Sequence, residues 1–151
     1  MTLLVDSGEG TLSAAFAVMD TIDLLGVPVH ATCMGRADGP AVGVLAVAHR
    51  RRAARHARFH LTAPRFTVAG TASDLERWAT HHQQQLDSFV SRLSEATKRP
   101  LEHVEADVFA GRYLTAEEAV SYGLIDEIWQ PDRPESSPPD RPPLGFRPPG
   151  G

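Results

Sequence analysis

The sequence predicts an α/β domain, because short apolar runs alternate along it with segments of helical periodicity. The run at 27–34 is short, β-branched and largely apolar, which is typical of a buried strand. Residues 12–25 instead carry apolar side chains at spacings of three and four, which indicates a helix. The repeated order of strand and helix favours parallel pairing through right-handed crossovers.

Composition narrows the class of protein. The 151 residues suffice for one domain, and 42% hydrophobic residues is ordinary for a soluble globular protein. A net charge of −4 gives no reason to expect nucleic acid or an acidic membrane as partner. With no leader-like start and no apolar run of membrane-spanning length, a cytoplasmic protein is expected. Cys33 is the only cysteine, which excludes an internal disulfide and a multi-cysteine metal site, and we expect no metal or cofactor.

The first predicted elements are a strand and a helix joined by a glycine-containing loop. The strand covers residues 3–5 and ends in the loop 6–10, whose glycines allow backbone geometries closed to other residues. Either Thr11 or Ser13 can cap the helix over 12–25.

A strand-to-helix turn is predicted after the second strand. Gly35 permits a close turn, and Pro40 suits the first turn of a helix because its missing N–H would have no helical partner there. Residues 41–48 are so small and apolar that they predict a helix packed closely on all sides. In α/β proteins such a turn often presents a nucleophile. This turn offers Asp38, Gly39 and Pro40, and no nucleophile.

The stretch 49–58 is basic, with five arginines. We interpret it as a solvated helix end and loop, with a docking surface for an acidic partner as the alternative. Nucleic-acid patches usually interleave aromatic side chains, and this stretch has none before Phe59. Residues 59–61 alternate as a strand that ends at Pro64.

The longest predicted helix begins with Ser73 as its cap and reaches about Thr97. Its apolar stripe is expected to contact more than its own small domain. Pro100 opens a short helix after it.

The last folded elements and the tail are separated by composition. Thr115 and Glu118 form a capping box, the helix that they open ends at Gly123, and residues 124–129 form a final strand or a strand-like tail. Residues 131–151 hold eight of the 12 prolines, so we predict a folded domain over 1–130 and a disordered Pro-rich tail over 131–151.

Several of these segments together resemble one known family. They are the loop 6–10, the stretch 33–37, the stretch 61–64 and the block 112–126. The block is the most specific and reads Arg112-Tyr113-Leu114-Thr115-Ala116-Glu117-Glu118-Ala119-Val120-Ser121-Tyr122-Gly123-Leu124-Ile125-Asp126. Over about residues 3–130 the chain resembles the proteolytic subunit of the Clp protease, ClpP. The family's first strand-helix unit and N-terminal loops have no counterpart before Met1.

The resemblance implies a fold and an assembly. The fold is the ClpP/crotonase-like spiral of strand-strand-helix units, with the long helix projecting as a handle. Family members form seven-membered rings fed by an ATP-dependent unfoldase. The resemblance therefore implies a homo- or hetero-oligomer with Clp proteolytic subunits, and an indirect association with the unfoldase.

The resemblance also locates the family's catalytic positions, and none is intact here. The serine falls on Gly39, the histidine on Thr62 and the carboxylate on Gly111. The two oxyanion-hole donors fall on Pro40, which has no N–H, and on Glu9, whose charge would repel an oxyanion.

Nearby residues offer poor substitutes. No serine lies between Ser13 and Ser73, and Thr32 and Cys33 lie on the strand about six residues too early, so Cys33 is expected to be a core residue. His60 is the best substitute base, but no acid partner or nucleophile is near it in sequence. Asp107 is expected to be an exposed helix carboxylate.

The residues favour a catalytically inactive Clp-type subunit with a structural or regulatory role in a ring. One alternative is a crotonase-like enzyme that handles acyl-CoA, for which Glu9 and Asp38 are the carboxylates at the matching turns. The other is a degenerate relic with no independent function.

Overall fold

The computed structural model of the chain describes residues 1–130, and it confirms the predicted α/β class. Its elements are β1 (Thr2–Ser7), α1 (Leu12–Leu24), β2 (His30–Asp38), α2 (Pro40–Ala46), β3 (Arg50–Ala53), β4 (Arg58–Leu61), α3 (Ala72–Thr97), α4 (Leu101–Ala110), β5 (Arg112–Thr115), α5 (Ala116–Tyr122) and β6 (Glu127–Ile128). The tail predicted over 131–151 lies outside the described residues.

β2 is the central strand of the sheet. Residues 30–33 pair with β1 on one edge and with β3 on the other, whereas 36–38 pair with β4. β6 joins β3, and β5 joins β4. The pairings are parallel, as predicted, except that β5 runs antiparallel to β4.

The hydrophobic core lies between one face of this sheet and the helices. Alternate residues of β2 enter it, and Ala31, Cys33 and Ala37 are fully buried. Gly43 of α2 lets α3 approach closely, because a β-carbon there would lie 2.5 Å from a ring carbon of Phe89. The small residues of α2 thus serve packing, as predicted, although the helix ends at Ala46.

The predicted turn at Gly35 is wrong. β2 continues through Gly35, where the absent side chain leaves room for the Asp6 carboxylate. The chain turns at Gly39, which has a positive φ of 51°. Gly35 and Gly39 lie in one short stretch, and either glycine could form the turn. Because residues 36–38 pair with β4, β2 continues past Gly35 and the turn falls at Gly39.

The basic stretch 49–58 is also not a solvated helix end, because it contains β3. Arg51 is the clearest case, with a side chain only 16% exposed. Its guanidinium donates to the Asp126 carboxylate and to the carbonyl oxygens of Ala96 and Gly123. Arg50, Arg51 and Arg52 pair with Asp126 or Glu127, which are distant in sequence, and no local pattern predicts such partners.

α3 is the longest helix in the described chain, as predicted, but its cap is Thr71 rather than Ser73. The Thr71 hydroxyl accepts from the Asp74 N–H, and the Asp74 carboxylate accepts from the Thr71 N–H. The buried residues of α3 lie in its C-terminal half, from Leu86 to Thr97. Its N-terminal half has no buried residue, and Trp78 and His82 there contact Phe66 of the preceding segment.

The C-terminal elements agree with the sequence apart from one additional strand and the length of the last one, since β6 covers only Glu127–Ile128 of the predicted 124–129. The capping box of Thr115 and Glu118 opens α5, and Gly123 ends it in the left-handed conformation. β5 at 112–115 was not predicted. Among residues 1–130, no helix is both long and apolar enough to cross a membrane.

Candidate active site

A cleft of about 650 Å³ opens where the carboxyl ends of β2 and β4 meet the loop that follows β1. Its lining comes from the loop 8–11, the turn 38–40 and the segment 60–65. Ligands of α/β sheets bind outside the carboxyl ends of the strands, so this cleft is the candidate site.

Gly39 gives the cleft its most distinctive backbone. Its φ of 51° and ψ of −121° are strained for any residue with a side chain. Its N–H donates a hydrogen bond of 2.8 Å to the carbonyl oxygen of His60, which holds the turn against β4. A sharp strand-to-helix turn of this kind exposes the nucleophile in many hydrolases. In this chain the residue at the turn is a glycine, so the turn exposes no side chain.

Thr62 lies opposite this turn. A β-carbon on Gly39 would lie 3.4 Å from the Thr62 carbonyl oxygen and 3.6 Å from its Cγ2. The fold thus brings together the two residues that the sequence analysis assigned to the serine and histidine positions. The Thr62 hydroxyl donates to the carbonyl oxygen of Ala63 at 3.3 Å.

Gly111 approaches the cleft from another direction, next to His60 rather than Thr62. It ends α4 with a φ of 69°, and a β-carbon there would lie 3.4 Å from His60 Nε2.

His60 has neighbours that the sequence analysis missed. The strand register places Asp38, His60 and Tyr113 side by side on β2, β4 and β5. The imidazole stacks on the Tyr113 ring, with centroids 3.9 Å apart and planes 8° from parallel. A carboxylate therefore stands on the strand next to His60. The only signal for this arrangement is the sheet register, which sequence spacing does not reveal.

The other hydroxyl in the cleft is committed to secondary structure. Thr11 caps α1, where its Oγ1 accepts from the Ala14 N–H. With Thr62 also bonded locally, the cleft holds a base in His60 but no activated hydroxyl nucleophile.

Pro40 and Glu9, at the positions that the resemblance assigns to the oxyanion donors, also line the cleft. Pro40 begins α2 and contributes no N–H. Glu9 lines the cleft with a carboxylate, and the Ser7 hydroxyl donates to the Glu9 carbonyl oxygen, which fixes the loop. A developing oxyanion here would meet a negative charge and lack one backbone donor.

Cys33 is buried, as predicted, and lies outside the residues that line the cleft. Burial, with the charges of Asp6 and Asp38, raises the pKa of its thiol to about 12. The thiol therefore stays protonated at neutral pH and cannot act as the nucleophile.

Asp107 is not the exposed carboxylate that the sequence predicts. Its side chain is 20% exposed. It accepts a hydrogen bond of 2.8 Å from the Tyr122 hydroxyl and pairs with Arg112. These contacts connect α4 to α5, and they give Asp107 a structural role outside the cleft.

Comparison with known proteins identifies the family. The family model for Clp protease matches residues 1–132. A similar protein is the ATP-dependent Clp protease proteolytic subunit 2 of Chlamydia pneumoniae, which is 31% identical over 128 residues. That match covers 83% of this chain and 63% of the relative, so the chain spans less than two thirds of the relative's length. Together with the α/β fold, the match over nearly all described residues shows that the chain belongs to the Clp protease family.

Proposed function

We propose that this chain is a catalytically inactive Clp-type subunit with a structural or regulatory role in a ring assembly. The observation that carries the proposal is the turn at Gly39, which has a nucleophile-presenting backbone but no nucleophile. We assign Gly39, Thr62 and Gly111 to the family's serine, histidine and carboxylate positions. The folded unit in this proposal is 1–130, with 131–151 as an appended tail.

The loss of chemistry is not confined to the triad. Peptide hydrolysis passes through an oxyanion that needs preorganised donors, and loss of one donor typically lowers the rate by about two to three decades. Pro40 removes one donor and Glu9 places a carboxylate near the other position. The same defects weigh against a crotonase-like acyl-CoA enzyme, since that chemistry also relies on backbone donors.

The assembly role is supported by the surface that the fold leaves uncovered. The N-terminal half of α3 exposes Leu75, and its Trp78 and His82 form an aromatic cluster with Phe66 of the preceding segment. Ring centroids in this cluster are 4.6–5.4 Å apart, so the three rings pack against one another at the surface. We call this surface the α3 face and propose that it packs against another Clp proteolytic subunit in the cytoplasm. In this proposal the chain contacts no ATP-dependent unfoldase directly and associates with one only through the ring.

Native mass spectrometry tests this assembly. The chain is measured alone and mixed with the Chlamydia pneumoniae Clp protease proteolytic subunit 2, and hydrolysis of a small fluorogenic peptide is followed in parallel. We expect mixed oligomers whose hydrolysis does not exceed that of the active subunit alone. The absence of any mixed species, together with a strictly monomeric chain, would reject the assembly role. That result would not affect the proposed loss of catalysis, which the peptide assay tests separately.

A further inference from the structure

The arginines of the basic stretch fall into two groups in the structure. The three arginines of β3 pair with Asp126 or Glu127. The second group is Arg55, in the turn between β3 and β4, and Arg58, which begins β4. The ion pairs of β3 therefore explain only the first part of this basic stretch.

Arg55 and Arg58 have no ion-pair partner in the part of the chain that the structure describes. Both residues are exposed. Among residues 1–130, no carboxylate oxygen lies within 4.0 Å of either guanidinium. Arg58 donates to the carbonyl oxygen of Ala57 at 3.3 Å, which leaves its charge unmatched. Two such cations three residues apart repel each other, and an external anion would relieve that repulsion.

The sheet register adds a third cation. Arg36 of β2 stands opposite Arg58, and neighbouring strands lie about 4.8 Å apart. Because Ala37 and Phe59 are fully buried, the residues before them project from the opposite face of the sheet. Asp38 lies 4.0 Å from the Arg36 guanidinium and offsets one of the three charges. Like charges side by side on adjacent strands are destabilising, so this arrangement favours a bound anion.

An exposed apolar side chain lies beside these cations. The Ala54 N–H, where the turn begins, donates to the Cys33 carbonyl oxygen at 2.8 Å, so β2 runs next to the turn. Met34 follows Cys33 on β2 and is 43% exposed. It shares a face with Arg36, since strand residues two positions apart point to the same side. We call this group of residues the β3–β4 surface: Met34, Arg36, Arg55 and Arg58.

The charge of the whole chain indicates the size of the anion. The net charge is −4, which opposes the approach of an extended polyanion such as a nucleic acid or an acidic membrane. A short acidic peptide meets chiefly the charges within a screening length of about 10 Å, and here these include three arginines. Met34 adds a contact for an apolar side chain, which a polypeptide can supply.

We propose that the β3–β4 surface binds a short acidic segment of another polypeptide. Its carboxylates pair with Arg55 and Arg58, and an apolar side chain between them packs on Met34. This surface is separate from the α3 face, and the proposal does not depend on the loss of catalysis. The chain's own segment 131–151 fits poorly, because its three acidic residues are balanced by three arginines.

Fluorescence anisotropy with the full chain tests the proposal. The probe is a labelled peptide, Glu-Glu-Leu-Glu-Glu. We expect saturable binding that weakens about tenfold or more in the double variant Arg55→Gln/Arg58→Gln. The matched control is Arg77→Gln/Lys98→Gln, which removes the same charge from exposed positions elsewhere on the chain and should bind as the original chain does. The peptide Gln-Gln-Leu-Gln-Gln should bind about tenfold more weakly, and Glu-Glu-Ser-Glu-Glu about threefold more weakly.

The outcomes that would overturn the proposal are distinct. Circular dichroism establishes that both double variants are folded. Equal binding by the original chain and Arg55→Gln/Arg58→Gln, an equal loss in the control variant, or no binding at about millimolar chain would reject the surface. Equal binding of the Gln and Glu peptides would reject its charge selectivity, which does not require any variant to fold.

Three further arms distinguish other occupants. Tighter binding of a single-stranded DNA with four phosphates would assign the surface to nucleic acid. Competition by an unlabelled peptide of residues 131–151 would assign it to the chain's own tail. A dimer in native mass spectra that is lost only in Arg55→Gln/Arg58→Gln would assign it to a second copy. Each of these results would overturn the proposed occupant.

Discussion

The N–H of Gly39 donates a 2.8 Å hydrogen bond to the carbonyl oxygen of His60. This bond joins the turn after β2 to β4 through the backbone alone, so the shape of the cleft does not depend on the side chains that would act in it. This backbone contact would therefore persist without catalytic side chains, as we propose for this chain.

The positive φ of Gly39 predicts a specific stability cost. Gly39→Ala should lower the free energy of unfolding by about 1–3 kcal/mol, because a β-carbon is strained at this φ and ψ. Gly10→Ala is the matched control in the same cleft, since a β-carbon there meets only Pro40 at 3.9 Å. Urea unfolding measures both variants, and equal costs would contradict the strain at Gly39.

Replacement of Arg51 should lower the free energy of unfolding more than the loss of an exposed ion pair does. Arg51→Ala removes hydrogen bonds to Asp126, Ala96 and Gly123 and leaves these acceptors partly buried, so we expect a loss of about 2–4 kcal/mol. Arg77→Ala breaks the pair with Asp74, whose side chains are 75% and 52% exposed, and should cost less than about 1 kcal/mol. Similar urea midpoints for the two variants would mean that the Arg51 contacts are not stabilising.

The ion pair of Asp126 with Arg51 should make the stability of the fold depend on pH in the acidic range. Burial opposes its ionisation, but the side-chain and backbone hydrogen bonds from Arg51, with the Arg51 charge, outweigh burial and hold the pKa of the carboxyl below its ordinary value of 3.8. A lowered pKa in the folded state stabilises the fold above the unfolded pKa, and this contribution is lost as the pH falls through the folded pKa. The stability difference between the original chain and Asp126→Asn should therefore shrink as the pH falls below 3.8. Urea unfolding at neutral and acidic pH measures this difference, and a constant difference would contradict the mechanism.

The Cys33 thiol should be inert in the folded chain. It is fully buried, and its pKa is raised to about 12, so little thiolate is available to react. Mass spectrometry after iodoacetamide at neutral pH should find the native chain unmodified and the guanidinium-unfolded chain modified once. Rapid labelling of the native chain would show that the strand opens and would restore Cys33 as a candidate nucleophile.

The α3 face predicts a separable effect on assembly. Leu75→Glu should reduce mixed oligomers in native mass spectra, because it places a charge beside the aromatic cluster. Leu101→Glu is the matched control on α4, since Leu101 is also an exposed leucine, at 50% against 38% for Leu75. Equal effects of the two substitutions would remove the α3 face from the interface.

Local signals made much of the fold predictable. Thr11, one of the two predicted candidate caps, begins α1, and the capping box of Thr115 and Glu118 begins α5 as expected. These residues are predictable because each cap bond joins residues only three positions apart. The basic stretch was misread because Arg51 bonds to Asp126, 75 residues away, and propensity carries no information about such partners.

The candidate site, like the fold, was only partly predictable from the sequence. The resemblance to the Clp protease family pointed to Gly39, Thr62 and Pro40 as catalytic positions, and all three line one cleft in the structure. It did not place Asp38 and Tyr113 beside His60, because that row depends on the register of three strands. The α3 cap was misplaced by two residues, since both Thr71 and Ser73 are good cap residues and only Thr71 has the reciprocal contact with Asp74.

The decisive measurement of the proposed loss of catalysis is hydrolysis of a small fluorogenic peptide by the purified full chain, with the Chlamydia pneumoniae Clp protease proteolytic subunit 2 as the active comparison. We expect no turnover above the uncatalysed rate, and no change when the cleft variant Thr62→Ala replaces the original chain. Turnover that Thr62→Ala abolishes would mean that the cleft contains a working hydroxyl nucleophile and that the chain is an active enzyme.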